Sequence, residues 1–315
     1  VRGLKGIFLF FMVIILISPF VGRMLFNPLS MSDLDKTILL QVRLPRVVTS
    51  LLVGASLSLA GLTFQNVFRN PLAGPNLLGV TSGSAFGAVL AILLSADPYV
   101  IQISAFLLGL LAVGVVWRLS RLVGNGILGL ILAGIAVSAF FSALVGMAKY
   151  LADPYDKLPA IVFWLLGSFA GLRWDDVRIM LVPLVVSIVG ITLLRWPLNV
   201  ISLSEEEARG LGVNVRLYRG IFIALAALGV SASTAMAGMI SWVGLVSPHV
   251  ARLSVGHDTR TLVPASALVG ASLLLVCDDV ARSVTTFEVP LGVVTALIGA
   301  PTLIIILRRG IYAKG

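Results

Sequence analysis

Charge is what this sequence has least of. Only 12% of its 315 residues are Asp, Glu, Lys or Arg, about half the share of an ordinary soluble domain. So few charges cannot clothe a water-facing surface on a chain that is 58% hydrophobic with a mean hydropathy of +1.06. The single cysteine, Cys277, excludes an internal disulfide and a cysteine metal cluster. Two histidines, His249 and His257, are too few for a histidine metal centre within one chain. Neither GxxxxGK[ST] nor HExxH occurs, so any ATP chemistry belongs to another chain. Apolar–polar alternation is missing too, which argues against a transmembrane β-barrel.

What is present is a series of long apolar segments. A spanning helix needs roughly 20 mostly apolar residues. Cutting the chain at charges, prolines and turn residues gives ten segments. They start near Lys5, Pro45, Asn76, Pro98, Gly126, Arg178, Gly220, Gly238, Leu262 and Pro290. The eighth is short and the third is rich in glycine and serine. The first, Gly6 to Phe26, has the basic start of a signal peptide (Arg2, Lys5). It is longer than a signal peptide's apolar region and lacks a small-residue cleavage site, so it reads as a retained span. The expected architecture is all-α, a polytopic helical membrane protein with one transmembrane domain over 1–315 and about ten spans.

Charge placement tests the count. With the N-terminus inside and strict alternation, the inner segments hold 14 Lys and Arg against 4 acids. The outer segments hold the remaining 9 against 10 acids. That is the positive-inside bias of a cytoplasmic-membrane protein, and it accounts for the net charge of +9 without nucleic acid. Glycine, alanine and serine recur within the spans. Gly83 and Gly87 form a GxxxG pair and GASLSLAG runs from Gly54 to Gly61, as suits helices whose backbones approach closely.

Five stretches stand out. Between apolar segments, 197–219 reads PLNVISLSEEEARGLGVNVRLYR and carries three of the four glutamates. Ser204 is placed to cap a short helix with Glu205, Glu206 and Glu207 in its first turn, and Gly210 and Gly212 to break it. Charge alternation puts this island on the cytoplasmic side. RLPR (43–46) places two arginines three apart at the outer start of the second span, with Pro45 at the helix start. Headgroup contact and docking of an acidic partner are both open there. The stretch 68–88, FRNPLAGPNLLGVTSGSAFGA, is irregular and weakly charged, as a simple turn or a pathway lining would be. In WVGLVSPHVARL (242–253) the lone His249 is more simply a structural hydrogen-bond partner than a ligand. CDDVAR puts Asp278 four residues before Arg282, the orientation of a helical ion pair.

Together these stretches resemble the FecCD family, the permease subunits of ABC importers for iron–siderophores, haem, cobalamin and related metal complexes. The matching residues are RLPR (43–46), GASLSLAGLTFQNVFRNPLAGPNLLGVTSGSAFG (54–87), LAGIAVS (132–138) and FWLLGSFAG (163–171). EEEARGLGVNV (205–215), the run from Trp242 with GHDTR, and VPLGVVTALIGAPTLIIILRR (289–309) complete the set. The resemblance implies a cobalamin-importer-permease-like fold in the inner membrane with both termini cytoplasmic. It implies a homodimer, two cytoplasmic ATPase subunits that hold ATP and Mg, and a substrate-binding protein outside. No cofactor, catalytic residue or metal site is expected in this chain itself. Glu205, Glu206, Glu207, Ala208, Arg209, Gly210 and Gly212 would form the coupling loop that enters the ATPase. Arg43, Arg46 and Arg282 would meet glutamates on the binding protein. Asn70 and Leu72 match a cytoplasmic gate region, and Gly134 and Ser138 lie in the matched pathway segment. Asn125 to Leu128 matches a second gate only loosely, and no gate residue is carried onto it. LADPYDKLPAIVFW (151–164) is expected as an outer loop. The cargo, from siderophore to molybdate, is left open. The rival class, an ion-gradient-driven secondary transporter, would need paired intramembrane carboxylates; the late acids Asp278 and Asp279 lie near a span's end.

Overall fold

The computed structural model describes residues 2–22, 31–124 and 126–312, and among them the only regular structure is helical. Seven helical stretches are long and apolar enough to cross a membrane. They are α1 (Arg2–Ile17, extended by a 3₁₀ turn to Phe20), the stretch Asp33–Val67, α5 (Pro98–Val123), α6 (Ile127–Leu151), α8 (Trp174–Leu193), α11 (Val215–Ala237) and α13 (Thr259–Ser283). The third, eighth and tenth expected segments are helices too, but shorter or less apolar: α4 (Val80–Leu93), α12 (Val243–Val255) and α14 (Leu291–Tyr312), whose apolar part is Leu291–Ile306. The part of the first expected segment beyond Gly22 lies outside the described residues.

Two expectations need correction. The second span does not start at Pro45. Its first turn, α2 (Asp33–Ile38), is opened by Ser32, whose side chain accepts from the Asp35 amide while Asp35 reaches back to the Ser32 amide, a reciprocal cap. A π-helical stretch, Leu39–Arg43, then joins it to α3 (Leu44–Val67). Proline has no N–H and crowds the carbonyl four residues back; a local π register is one way a helix absorbs this without ending. The stretch expected as an outer loop is likewise partly helical, since α7 covers Lys157–Leu166. Asp153 caps the turn before it by accepting from the Tyr155 and Asp156 amides, both at 2.9 Å.

Helix α3 lies at the centre, its residues from Val53 to Val67 almost all buried against α11, α12 and α13. Small residues make this possible. A Cβ on Gly61 would overlap the carbonyl oxygen of Gly244 on α12, and one on Gly54 the carbonyl of Gly270 on α13. The GxxxG pair works in the same way: Cβ atoms on Gly83 and Gly87 would strike the backbone of α5 at Leu108 and Ser104. Backbones this close exchange dispersion contacts that larger side chains would forbid.

The helix ends sort into two poles. At one, Arg69 after α3 donates to the Ile201 carbonyl at 3.5 Å, and Thr259 at the start of α13 donates to the Arg195 carbonyl at 2.6 Å. At the other, Arg46 reaches Asp278, Trp174 donates to the Leu40 carbonyl and Lys157 donates to Ser95. This is the grouping that charge alternation required.

Candidate functional site

The acidic island at the first pole resolves into three pieces. Helix α9 (Arg195–Val200) buries Pro197, Leu198 and Val200. Helix α10 (Glu205–Gly210) follows, and α11 begins at Val215, with Asn214 accepting from the Leu217 amide at 3.1 Å.

Helix α10 is only six residues long, too short to persist on propensity alone. Both its ends are closed. Ser204 accepts from the Glu207 amide at 3.2 Å, and the Glu207 carboxylate accepts from the Ser204 amide at 2.9 Å and hydroxyl at 2.8 Å. At the far end the Val213 amide donates to the Ala208 carbonyl at 3.1 Å and the Gly212 amide to the Arg209 carbonyl at 2.9 Å. That is a Schellman closure with Gly212 in the left-handed region, at φ +76°. Gly210, expected as a breaker, lies within the helix; Gly212 alone ends it.

One face of α10 is fixed and the rest is displayed. Ala208 is fully buried and Val213 nearly so, the apolar pair that a Schellman end brings together. Glu205 bonds Arg219 on α11 at 2.8 Å, with Arg209 3.8 Å from its other oxygen. The hydrogen bond from Arg219 holds the Glu205 carboxyl below its ordinary pKa, and the Ser204 hydroxyl does the same for Glu207. Glu206, Arg209, Gly210 and Leu211 are exposed. The result is a small rigid knob, pinned by one methyl group and one ion pair and open along its polar face.

The candidate gate residues divide. Asn70 and Leu72 are exposed beside this knob, in a turn where the Asn70 side chain accepts from the Leu72 amide at 2.9 Å. Gly134 and Ser138 on α6 pack instead on the later part of the same connection, against Leu77 and Gly79. Asn125 lies outside the described residues. Arg69 is the residue that sequence reasoning missed. It sits at φ +50°, donates to the carbonyl at Ile201, and adds its positive field at Glu205 and Glu207. It thereby ties the Asn70–Leu72 turn to the segment that carries α10. The only signal in the sequence was an arginine before Asn-Pro.

At the opposite pole, the three arginines expected to meet glutamates on a binding protein are folded inward. Arg43, Arg46 and Arg282 are 6%, 6% and 7% exposed. Arg43 donates to the Pro19 carbonyl at 3.0 Å. Arg46 spans two carboxylates, with Nε 2.8 Å from Asp278 and Nη1 2.8 Å from Glu288. Arg282 pairs with Asp279 and lies 3.7 Å from Asp278, the expected helical pair. Buried ions need this degree of mutual pairing. His249 is buried with Nδ1 2.9 Å from the Leu245 carbonyl, the structural partnership expected of it.

The described residues form a many-span helical bundle with a rigid polar knob at one pole. The model of the FecCD transport family matches residues 7–309, and the chain belongs to that family. It is 42% identical over 299 residues to the molybdate import permease MolB of Haemophilus influenzae, covering 93% of this chain and 89% of that one. It is 41% identical to an iron chelatin permease of Helicobacter pylori, over 86% of this chain and 82% of that one. It is 37% identical to the vitamin B12 permease BtuC of Klebsiella pneumoniae, over 98% and 94%. A solved inward-facing structure described as a metal-chelate-type ABC transporter superposes with a TM-score of 0.92 at 40% identity, covering 97% of this chain and 98% of that one. The chain is thus a multi-pass ABC importer permease, of the class that carries metal chelates, cobalamin or molybdate.

Proposed function

We propose that two copies of this chain form the translocation path of an importer for an iron–siderophore or similar metal complex. Two cytoplasmic ATPase subunits, holding ATP and Mg, grip the α10 pole. A substrate-binding protein delivers cargo at the Arg46 pole. The permease then sits in the cytoplasmic membrane with α10 inside.

The observation that carries this reading is the construction of α10. A six-residue helix closed at both ends, buried only at Ala208 and leashed to α11 by Glu205–Arg219, is stiff enough to transmit a push. Its exposed Glu206 is displayed to a partner, and Arg209, 3.8 Å from Glu205, lies on the same exposed surface. Closure of the ATPase pair would move the knob. Through Ile201 and Arg69 the displacement would reach the Asn70–Leu72 turn, and through α11 it would reach the bundle. Only a bistable packing can amplify so small a shift. At the other pole, an acid of the binding protein would take Arg46 by displacing Glu288, the most exposed carboxylate paired with it at 32%.

The test uses the assembled complex in proteoliposomes with ATP and no ion gradient. Glu206→Ala with Gly212→Ala should leave the ATPase running but abolish cargo uptake. Full uptake by the double variant removes the coupling role. Uptake that follows an ion gradient without ATP replaces the whole reading with that of a secondary transporter.

A further inference from the structure

At the α10 pole, Arg121 and Arg216 line one cleft, and among the described residues neither is in an ion pair. Helix α5 ends in Trp117, Ser120 and Arg121, and α11 begins with Arg216 and Arg219. Trp117, Arg121, Arg216 and Arg219 line one narrow cleft between the two helices, which Gly126 and Leu130 at the start of α6 close from the side. Arg219 is committed to Glu205. Among the described residues no carboxylate pairs with Arg121 or Arg216.

Arg216 and Trp117 also head a second cavity, of about 540 Å3, which is otherwise apolar. It runs between the helices past Val113, Leu217 and Gly220 to Ala224. From Leu217 to Ala224 is two turns, about 10 Å along the helix axis. Gly220 keeps the groove open, since its missing side chain would sit 3.2 Å from the Trp117 ring. The chemistry is that of an amphiphile. An anion belongs at the mouth, an indole marks the boundary between polar and apolar as interfacial tryptophans do, and a hydrocarbon chain belongs below.

We infer that the α5–α11 groove is a binding site for an anionic phospholipid. The phosphodiester pairs with Arg121 and Arg216, and an acyl chain lies along Trp117, Gly220 and Ala224. A zwitterionic lipid offers the same phosphate and chain but brings its own ammonium, which two uncompensated guanidiniums repel. Basic pockets between spans on the cytoplasmic side select anionic headgroups for this reason. The assignment rests on the reading that α5 and α11 cross the membrane with these ends inside. The headgroup would then lie one turn from the Glu205–Arg219 leash of α10, so lipid charge would bear on the knob that couples the permease.

The experiment is tryptophan quenching by brominated lipid, on the full-length permease in phosphatidylcholine nanodiscs. The Trp117 signal is the difference between each protein and its Trp117→Phe counterpart. Brominated phosphatidylglycerol should quench it more strongly than brominated phosphatidylcholine at equal mole fraction. The preference should fall about fivefold for each of Arg121→Gln and Arg216→Gln, and survive in part in Arg121→Lys with Arg216→Lys. Equal quenching by the two lipids overturns the site. So does a preference that persists in the double glutamine variant. So does loss of ATPase co-purification in that variant with lipid preference intact, which would give the two arginines to the protein partner.

Discussion

Arg46 carries two carboxylates, Asp278 and Glu288, while only 6% exposed. Removing one side of a buried pair strands the other charge, at a cost of about 3–5 kcal/mol. Arg46→Met is therefore expected to lower thermal stability in detergent by that order. Arg46→Met combined with Asp278→Leu should recover most of the loss, because Glu288 can hydrate and Arg282 keeps Asp279. A double variant as unstable as the sum of its parts would mean the pair is not a unit. The arginines were legible as unusual from RLPR alone. Their partners were not: Asp278 lies 232 positions away, and no local pattern reports which helices meet. The same holds for Ser204 and Glu205. The cap of Ser204 follows from its spacing to Glu207 and was readable. The bond from Glu205 to Arg219 spans 14 residues across a chain reversal and was not.

Elements differ in how much a single glycine matters. Gly61 on α3 and Gly146 on α6 both sit within helices, where alanine is intrinsically better by about 1 kcal/mol. At Gly146 a Cβ meets nothing within 4 Å, so Gly146→Ala should raise the melting temperature slightly. At Gly61 it would collide with the Gly244 carbonyl, and neither backbone can turn aside. Gly61→Ala should destabilise by about 1–3 kcal/mol despite its better propensity. Melting curves of the two variants that moved together would mean helix crossing is not the constraint. The small-residue pattern announced close packing, but only the assembled bundle separates the glycines that touch a neighbour from those that do not. Pro45 teaches the reverse. As a start signal it was sound locally, yet the capped turn from Asp33 and the π-helical joint carry the helix through it.

At the scale of the molecule, the two poles give a direct test of orientation. Cys277 is fully buried, so the native chain is nearly silent to thiol reagents. Ser202→Cys places a thiol beside α10, and Tyr155→Cys places one at the opposite pole, where Tyr155 is 93% exposed. A membrane-impermeant maleimide should label Tyr155→Cys in intact spheroplasts and Ser202→Cys only in inside-out vesicles. The inverse pattern would turn the permease over. Labelling of both from one side would break the two-pole arrangement itself.

Sequence alone determined that the chain spans a membrane, how its charges sort, where a short capped helix interrupts the spans, and that it holds no phosphate-binding loop. These depend on composition and on spacings of a few residues, which the backbone enforces locally. Tertiary structure decided that Gly212 rather than Gly210 ends α10, that Arg69 ties the knob to the Asn70–Leu72 turn, and that Arg43, Arg46 and Arg282 are folded inward onto partners of this same chain. It also brought Arg121 and Arg216, neither in an ion pair among the described residues, together at the head of an apolar groove. Each of these is a meeting of residues far apart in the chain, fixed only when close-packed helices choose their neighbours.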